Sequence, residues 1–144
     1  MCIEQLSIFL ENSPGKLKGV TDTLKKNQIN IISLALSDTT DYGIARMIVS
    51  DSSEAVEVLQ KEGYTAVCTQ VLVVELCQEV GALSRIMDLL YEEGLNLEYM
   101  YALLTGQEGG AIVIKTSDQQ KTYEALQRKN IKIFTREELK ELKK

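Results

Sequence analysis

Apolar and polar positions alternate with one period in some stretches of the chain and with another in the stretches between. Leu6, Ile8 and Leu10 alternate with Gln5 and Ser7, the period of a half-buried strand. Leu17, Val20 and Leu24 then fall on one stripe of a helix, with Ser13 where an N-cap belongs and Pro14 at the first helical position. Asn27-Gln28 ends that helix. Ile31 to Leu36 reads as a second strand and Ile44 to Val49 as a third, and the turn chemistry of Asp38 to Gly43 makes the two a hairpin. Asp51 can cap a second helix carrying Val56 and Leu59, and Tyr64 to Cys68 reads as a fourth strand.

The same order returns 66 residues later. Gly15-Lys16-Leu17 falls on Gly81-Ala82-Leu83, and Ile29-Asn30-Ile31 on Leu95-Asn96-Leu97. Over residues 3–50 against 69–116 there are 11 identities in 48 pairs, where composition alone gives roughly three. Gly43 then meets Gly109, Ala45 meets Ala111 and Ile48 meets Ile114, and one inserted residue after these strands restores the match of Val58 to Lys61 with Ala125 to Arg128. The second copy has strands at Leu72 to Leu76, Leu97 to Leu104, Ala111 to Lys115 and Ile131 to Phe134. Its helices carry Leu83, Ile86 and Leu90, then Tyr123 and Leu126 behind a cap at Asp118. The order is βαββαβ twice, the ferredoxin-like unit. This predicts an α+β fold of two units with antiparallel sheets and helices on one face. Domains of 1–68 and 69–134 follow, then a short C-terminal helix in 135–144, because Thr135 to Glu138 has the capping-box form and Leu139 and Leu142 make a stripe.

Composition fits a globular chain of 144 residues with a real core, 44% hydrophobic and 26% charged. The net charge of −5 argues against a nucleic-acid partner and an acidic membrane surface. Histidine is absent, which removes Ser-His-Asp and Cys-His catalysis and His-ligated zinc. Cys2, Cys68 and Cys77 are odd in number without CxxC spacing, so they read as reduced thiols, and no metal site or cofactor is expected. No secretory signal and no membrane span is legible, so a cytoplasmic protein is expected. The carboxylates Glu4, Glu11, Glu75 and Glu79 show nothing that would tune them for acid/base work, so no enzyme is expected.

The candidate chemistry lies in the loop between first strand and first helix. Backbone N–H groups at a helix N-terminus can receive a carboxylate. Gly15 and Gly81 stand there in both copies, with the amides Asn12 and Gln78 just ahead and Asn30 and Asn96 fifteen residues on. Such a set supplies donors and acceptors for a ligand bearing both a carboxylate and an ammonium group. The plainer reading makes the glycines turn formers and the asparagines helix C-caps.

Glu11-Asn12-Ser13-Pro14-Gly15-Lys16-Leu17, followed by Ile29-Asn30-Ile31, resembles the ACT domain, a small regulatory module that binds amino acids. Gln78-Glu79-Val80-Gly81-Ala82-Leu83 with Leu95-Asn96-Leu97 is similar but lacks the proline and the first asparagine. The resemblance covers the chain except the final helix, as a tandem pair. It implies side-by-side packing and a ligand at an interface, between the glycine loop of one copy and the second-strand entry of another. Carried over, it puts Asn12, Gly15 and Asn30 on the ligand's polar groups with Leu17 and Ile31 near its side chain. In the second copy the equivalents are Gln78, Gly81 and Asn96 with Leu83 and Leu97. The expected function is a non-catalytic amino-acid sensor that signals through a separate enzyme or regulator. The alternative is a structural interaction module with no small-molecule ligand.

Third-strand residues Ile44, Met47, Ile48 and Val49 are apolar on both faces, and Phe9, Val71 and Val73 point away from the helices. This predicts an open apolar sheet face and a homodimer that buries it. Tyr99 and Tyr101 would be core, or line that interface or a pocket. Other ferredoxin-like functions fit less well: no CxxC serves a metal chaperone, aromatics are too few for an RNA-recognition motif, and Arg85 has no counterpart in the first copy for acyl-phosphate hydrolysis.

Overall fold

A computed structural model describes residues 3–11, 13–38, 42–77, 79–103 and 110–141. The predicted hairpin turns, Asp38 to Gly43 and Thr105 to Gly110, fall mostly outside them, and so do Leu104 and Leu142. The elements are β1 (Ile3–Glu11), α1 (Lys16–Lys26), β2 (Ile31–Asp38), β3 (Tyr42–Val49), α2 (Ser52–Lys61), β4 (Thr65–Leu76), α3 (Ala82–Glu92), β5 (Leu97–Leu103), β6 (Gly110–Thr116), α4 (Gln119–Arg128) and α5 (Arg136–Glu141). The chain divides into two units, Glu4–Thr69 and the part from Gln70 onward. Both are ferredoxin-like, and the fold is α+β.

In the first unit the strands run β2-β3-β1, with antiparallel pairs throughout. Leu6, Ile8, Leu10, Ala45, Met47 and Val49 from the strands meet Val20, Leu24, Ala55 and Leu59 from the helices in one core, so both helices cover one face. In the second unit β6 lies between β4 and β5, again antiparallel. Leu72, Val74, Ile112 and Ile114 pack there with Ile86, Leu89, Ala125 and Leu126. The second helices start as the sequence predicts: Asp51 accepts from the Glu54 N–H and Asp118 from the Lys121 N–H, each at 3.0 Å.

Several expectations need correction. Tyr64 to Cys68 and the strand around Leu72 are not separate elements: β4 is one strand from Thr65 to Leu76, because no glycine, proline, asparagine or aspartate interrupts that β-branched run. The last predicted strand is reduced to a bridge between Val74 and Ile133. It is supported by hydrogen bonds from Glu75 N–H to Lys132 O and from Phe134 N–H to Val73 O. The inserted residue also sits earlier than the sequence match places it. Leu10 pairs with Gly43 and Leu76 with Gly110; Leu6 pairs with Met47 and Leu72 with Ile114. The third strands are therefore equivalent at an offset of 67, and the insertion precedes β6.

The open apolar face is a further correction. Met47 and Val49 belong to the core under the helices, and Ile48, Val71 and Val73 are buried as well. Gln5 and Ser7, expected as outward polar alternates, are also buried, and the Gln5 amide donates to Ser7 Oγ at 3.1 Å. Phe9 alone of that predicted set is exposed, at 47%, with Tyr42 on the same face at 61%. Tyr99 and Tyr101 are half-buried, facing Lys115 and Val113 in the β5–β6 register. The terminal helix forms with its capping box: Glu138 N–H donates to Thr135 Oγ1 at 3.2 Å, and Thr135 N–H to Glu138 Oε1 at 3.0 Å. Among the described residues no helix is long and apolar enough to cross a membrane.

Candidate functional site

The two βα loops are built alike. After β1, Ser13 N–H donates to Glu11 O at 2.9 Å, Lys16 N–H to Ser13 O at 3.4 Å and Gly19 N–H to Gly15 O at 3.0 Å. After β4, Glu79 N–H donates to Cys77 O at 2.9 Å, Ala82 N–H to Glu79 O at 3.2 Å and Arg85 N–H to Gly81 O at 3.0 Å. Gly15 and Gly81 are the N-caps, both left-handed, with φ 86° and 87°. That corrects the placement of Ser13 as cap and Pro14 at the first helical position. A left-handed residue ends the helical run, so α1 begins at Lys16 and Pro14 stays in the turn, where exposed Val80 takes its place in the second unit.

The consequence is electrostatic. Aspartates cap α2 and α4, whereas glycine offers α1 and α3 no side-chain acceptor, and neither first turn holds an acidic residue. The positive ends of α1 and α3 remain suited to an anion. Around the loops Glu11, Ser13, Pro14, Gly15, Lys16, Glu79, Val80 and Gly81 are exposed, Ala82 is buried, and Leu17 and Leu83 are half-buried against their cores. Asn12 and Gln78 lie outside the described residues.

Asn30 and Asn96 are not helix C-caps, since Asn27 and Glu93 hold those positions. Each joins the start of its second strand to the end of the third. Asn30 N–H donates to Ser50 Oγ at 2.9 Å and its carbonyl accepts from Ser50 N–H at 2.9 Å. Asn96 does the same with Ser117, at 3.1 and 2.9 Å. Their side chains are exposed, and Ile31 and Leu97 follow half-buried. The register places these asparagines far from the glycines of their own unit. Glu11 pairs with Tyr42 at one end of β3, while Ile31 pairs with Val49 at the other. Seven residues of strand, roughly 23 Å, separate the two ends. Within a unit the structure brings Gly15 together with Lys16 and Leu17 but not with Asn30, and Gly81 with Ala82 and Leu83 but not with Asn96.

A cavity of about 440 Å³ opens beside the second loop. It is lined by Leu76, Glu79, Ala82, Arg85, Leu89 and Ile131 among others. Arg85 and Ile131 were not singled out as a site from the sequence; what marks them is that Gly19 and Tyr64 stand in their places in the first copy.

Residues 1–143 match the family described as an ACT domain pair, and the chain belongs to that family. No curated protein matches. A crystal structure of a protein from Bacteroides thetaiotaomicron is similar at a TM-score of 0.90 and 34% identity, covering 96% of each chain. The ligand-free regulatory subunit of aspartate kinase from Thermus thermophilus shares the fold at a TM-score of 0.62 and 15% identity, covering 87% of this chain and 91% of that one. The corresponding subunit from Thermus flavus does so at 0.61 and 17%, covering 87% and 90%.

Proposed function

We propose that this ACT domain pair is a non-catalytic regulatory protein that binds a free amino acid at its glycine loops. The observation that carries the reading is the contrast within each unit: α2 and α4 are capped by aspartate, and α1 and α3 begin at left-handed glycines with nothing within 4 Å above the Cα. A carboxylate at either helix start would meet N–H groups and the positive end of the dipole. Glu11, Asn12, Ser13, Pro14, Gly15, Lys16 and Leu17 form the first candidate loop; Gln78, Glu79, Val80, Gly81, Ala82 and Leu83 form the second. Asn30, Ile31, Asn96 and Leu97 are too far from the glycine of their own unit to share one amino acid with it, so on this reading they meet a ligand held at the glycine loop of another copy. Shared fold with regulatory subunits of aspartate kinase supports a regulatory role exerted on a separate enzyme or regulator. Cys68 and Cys77 are exposed free thiols, which suits a reducing cytoplasm.

Equilibrium dialysis against a mixture of the twenty amino acids tests the reading. Retention of one of them is expected, reduced by Asn12→Ala or Gln78→Ala according to which loop holds it. Retention of none contradicts the reading. One observation favours protein interaction as a second role: Phe9 and Tyr42 are exposed on one face of the first unit, and Leu34 and Leu36 on β2 at 41% and 54%. A second copy of this chain is the proposed partner at the Phe9 and Tyr42 face, which is opposite the face of Leu34 and Leu36, and a monomeric mass by light scattering at micromolar concentration would count against it.

A further inference from the structure

The two units match residue for residue at one place where their side chains differ. Glu62 to Thr65 and Lys129 to Lys132 are equivalent segments. Gly63 and Asn130 both take positive φ, 90° and 56°. Tyr64 and Ile131 each donate a backbone N–H, to Leu59 O and Leu126 O, both at 3.0 Å. Because α1 and α3 start one residue after Gly15 and Gly81, Gly19 is the counterpart of Arg85. In the first unit the Tyr64 ring packs against the core and reaches α1. A Cβ on Gly19 would collide with the Tyr64 hydroxyl oxygen and lie 3.5 Å from the ring's Cζ. Among the described residues of the second unit no ring takes that course. Ile131 is too short to cross, and the Arg85 guanidinium turns to Glu79, with Nη2 at 2.8 Å from Oε2. The cavity of about 440 Å³ lies there.

We propose that this cavity binds a single-ring phenol, whose ring takes the place that the Tyr64 ring holds in the first unit. Leu76, Ala82, Ile86, Leu89 and Ile131 give it apolar surface, which suits an aromatic face, and charged residues of both signs, among them Asp88, Glu92, Lys129 and Lys132, line the remainder. Arg85 stands on the helix position that the Tyr64 hydroxyl reaches in the first unit, and its partner Glu79 lies in the loop ahead of α3, the pair exposed at the mouth of the cavity. The pair offers the ligand's hydroxyl a donor and an acceptor together. The volume is within the usual range for small-molecule sites, about 300–1,000 Å³, and leaves room for a short substituent beyond the ring. The site lies wholly in the second unit and shares only Glu79 and Ala82 with the loop proposed for amino-acid binding.

The probe is p-cresol, titrated by calorimetry and by NMR, with 4-methylcyclohexanol as the saturated control of like size. Saturable p-cresol binding is expected, at least about tenfold tighter than the control, with nuclear Overhauser contacts from the ring to the Ile131 and Leu89 methyls. The double variant Arg85→Gly/Ile131→Tyr installs the first unit's own pair and is expected to weaken p-cresol binding more than about tenfold while retaining the wild-type circular dichroism. Contacts to other methyls in the wild type, equal binding of the control, or undiminished binding by the folded double variant would overturn the proposal. An amino acid that binds while p-cresol does not would overturn the cavity site and leave the glycine-loop reading standing. Phenol binding without any amino-acid response would do the reverse.

Discussion

Gly15 and Gly81 hold one backbone conformation, φ 86° and ψ −4° at the first, φ 87° and ψ 2° at the second, each as the last residue before a helix. A Cβ on either would meet nothing within 4 Å, so backbone conformation rather than space requires glycine. Gly15→Ala and Gly81→Ala should each cost on the order of 1 kcal/mol in urea unfolding, and by similar amounts. Asparagine at either position should cost less than alanine, because it tolerates the left-handed region better. A much larger loss at one glycine would show that something approaches it closely.

Gly19 and Tyr64 give a sharper test of packing. Alanine in a helix interior gains about 1 kcal/mol over glycine, but at position 19 its Cβ must displace the Tyr64 hydroxyl. In a Tyr64→Phe background the obstructing oxygen is gone and the ring carbon lies at ordinary contact distance. Gly19→Ala should therefore stabilise the Tyr64→Phe protein by about 1 kcal/mol and the wild type by clearly less, a coupling readable in a double-mutant cycle. Equal effects in both backgrounds would place the tyrosine elsewhere.

The helix caps test whether the units are energetically equivalent. Asp51→Ala and Asp118→Ala each remove an acceptor 3.0 Å from a helix N–H. Each should cost about 1 kcal/mol in chemical denaturation. Substitution by asparagine should restore most of the loss at both sites, since the amide oxygen can accept the same bond.

Those caps were legible in the sequence because an aspartate before an apolar stripe has one common use. The strand and helix order was legible for a like reason: each period change coincided with a capping or turn residue. The register of the third strands was not. Alternation fixes which face a residue takes only when the faces differ in polarity, and Ile44 to Val49 is apolar almost throughout. Ala45 against Ala111 and Ile48 against Ile114 therefore looked as good as the true offset. The glycine loops were found from the repeat. That Asn30 lies at the opposite end of β3 from Glu11 needed the strand pairing. The cavity was hidden in what the repeat fails to repeat, Tyr64 against Ile131 and Gly19 against Arg85.

Acid should weaken the start of the terminal helix. The Glu138 carboxyl is held below its ordinary value by its hydrogen bond from Lys132, then by the Thr135 backbone N–H. Its folded value is lower than its unfolded one, so its contribution is full above the ordinary carboxylate range and is lost as pH falls through the folded value. Glu138→Gln should be less stable than the wild type at neutral pH, and the gap should narrow as pH falls below the ordinary carboxylate range. A gap that is constant over that range would mean that the carboxylate charge contributes nothing.

Binding of a free amino acid at the glycine loops is open to a thermal-shift panel of the twenty amino acids. A ligand that binds only the folded chain adds about 2.7 kcal/mol at 100 times its Kd, which should raise the melting temperature by several degrees. Such a rise is expected for one amino acid or one chemical group of them, diminished when Gly15 or Gly81 is replaced by valine. No rise with any of the twenty at millimolar concentration would contradict it.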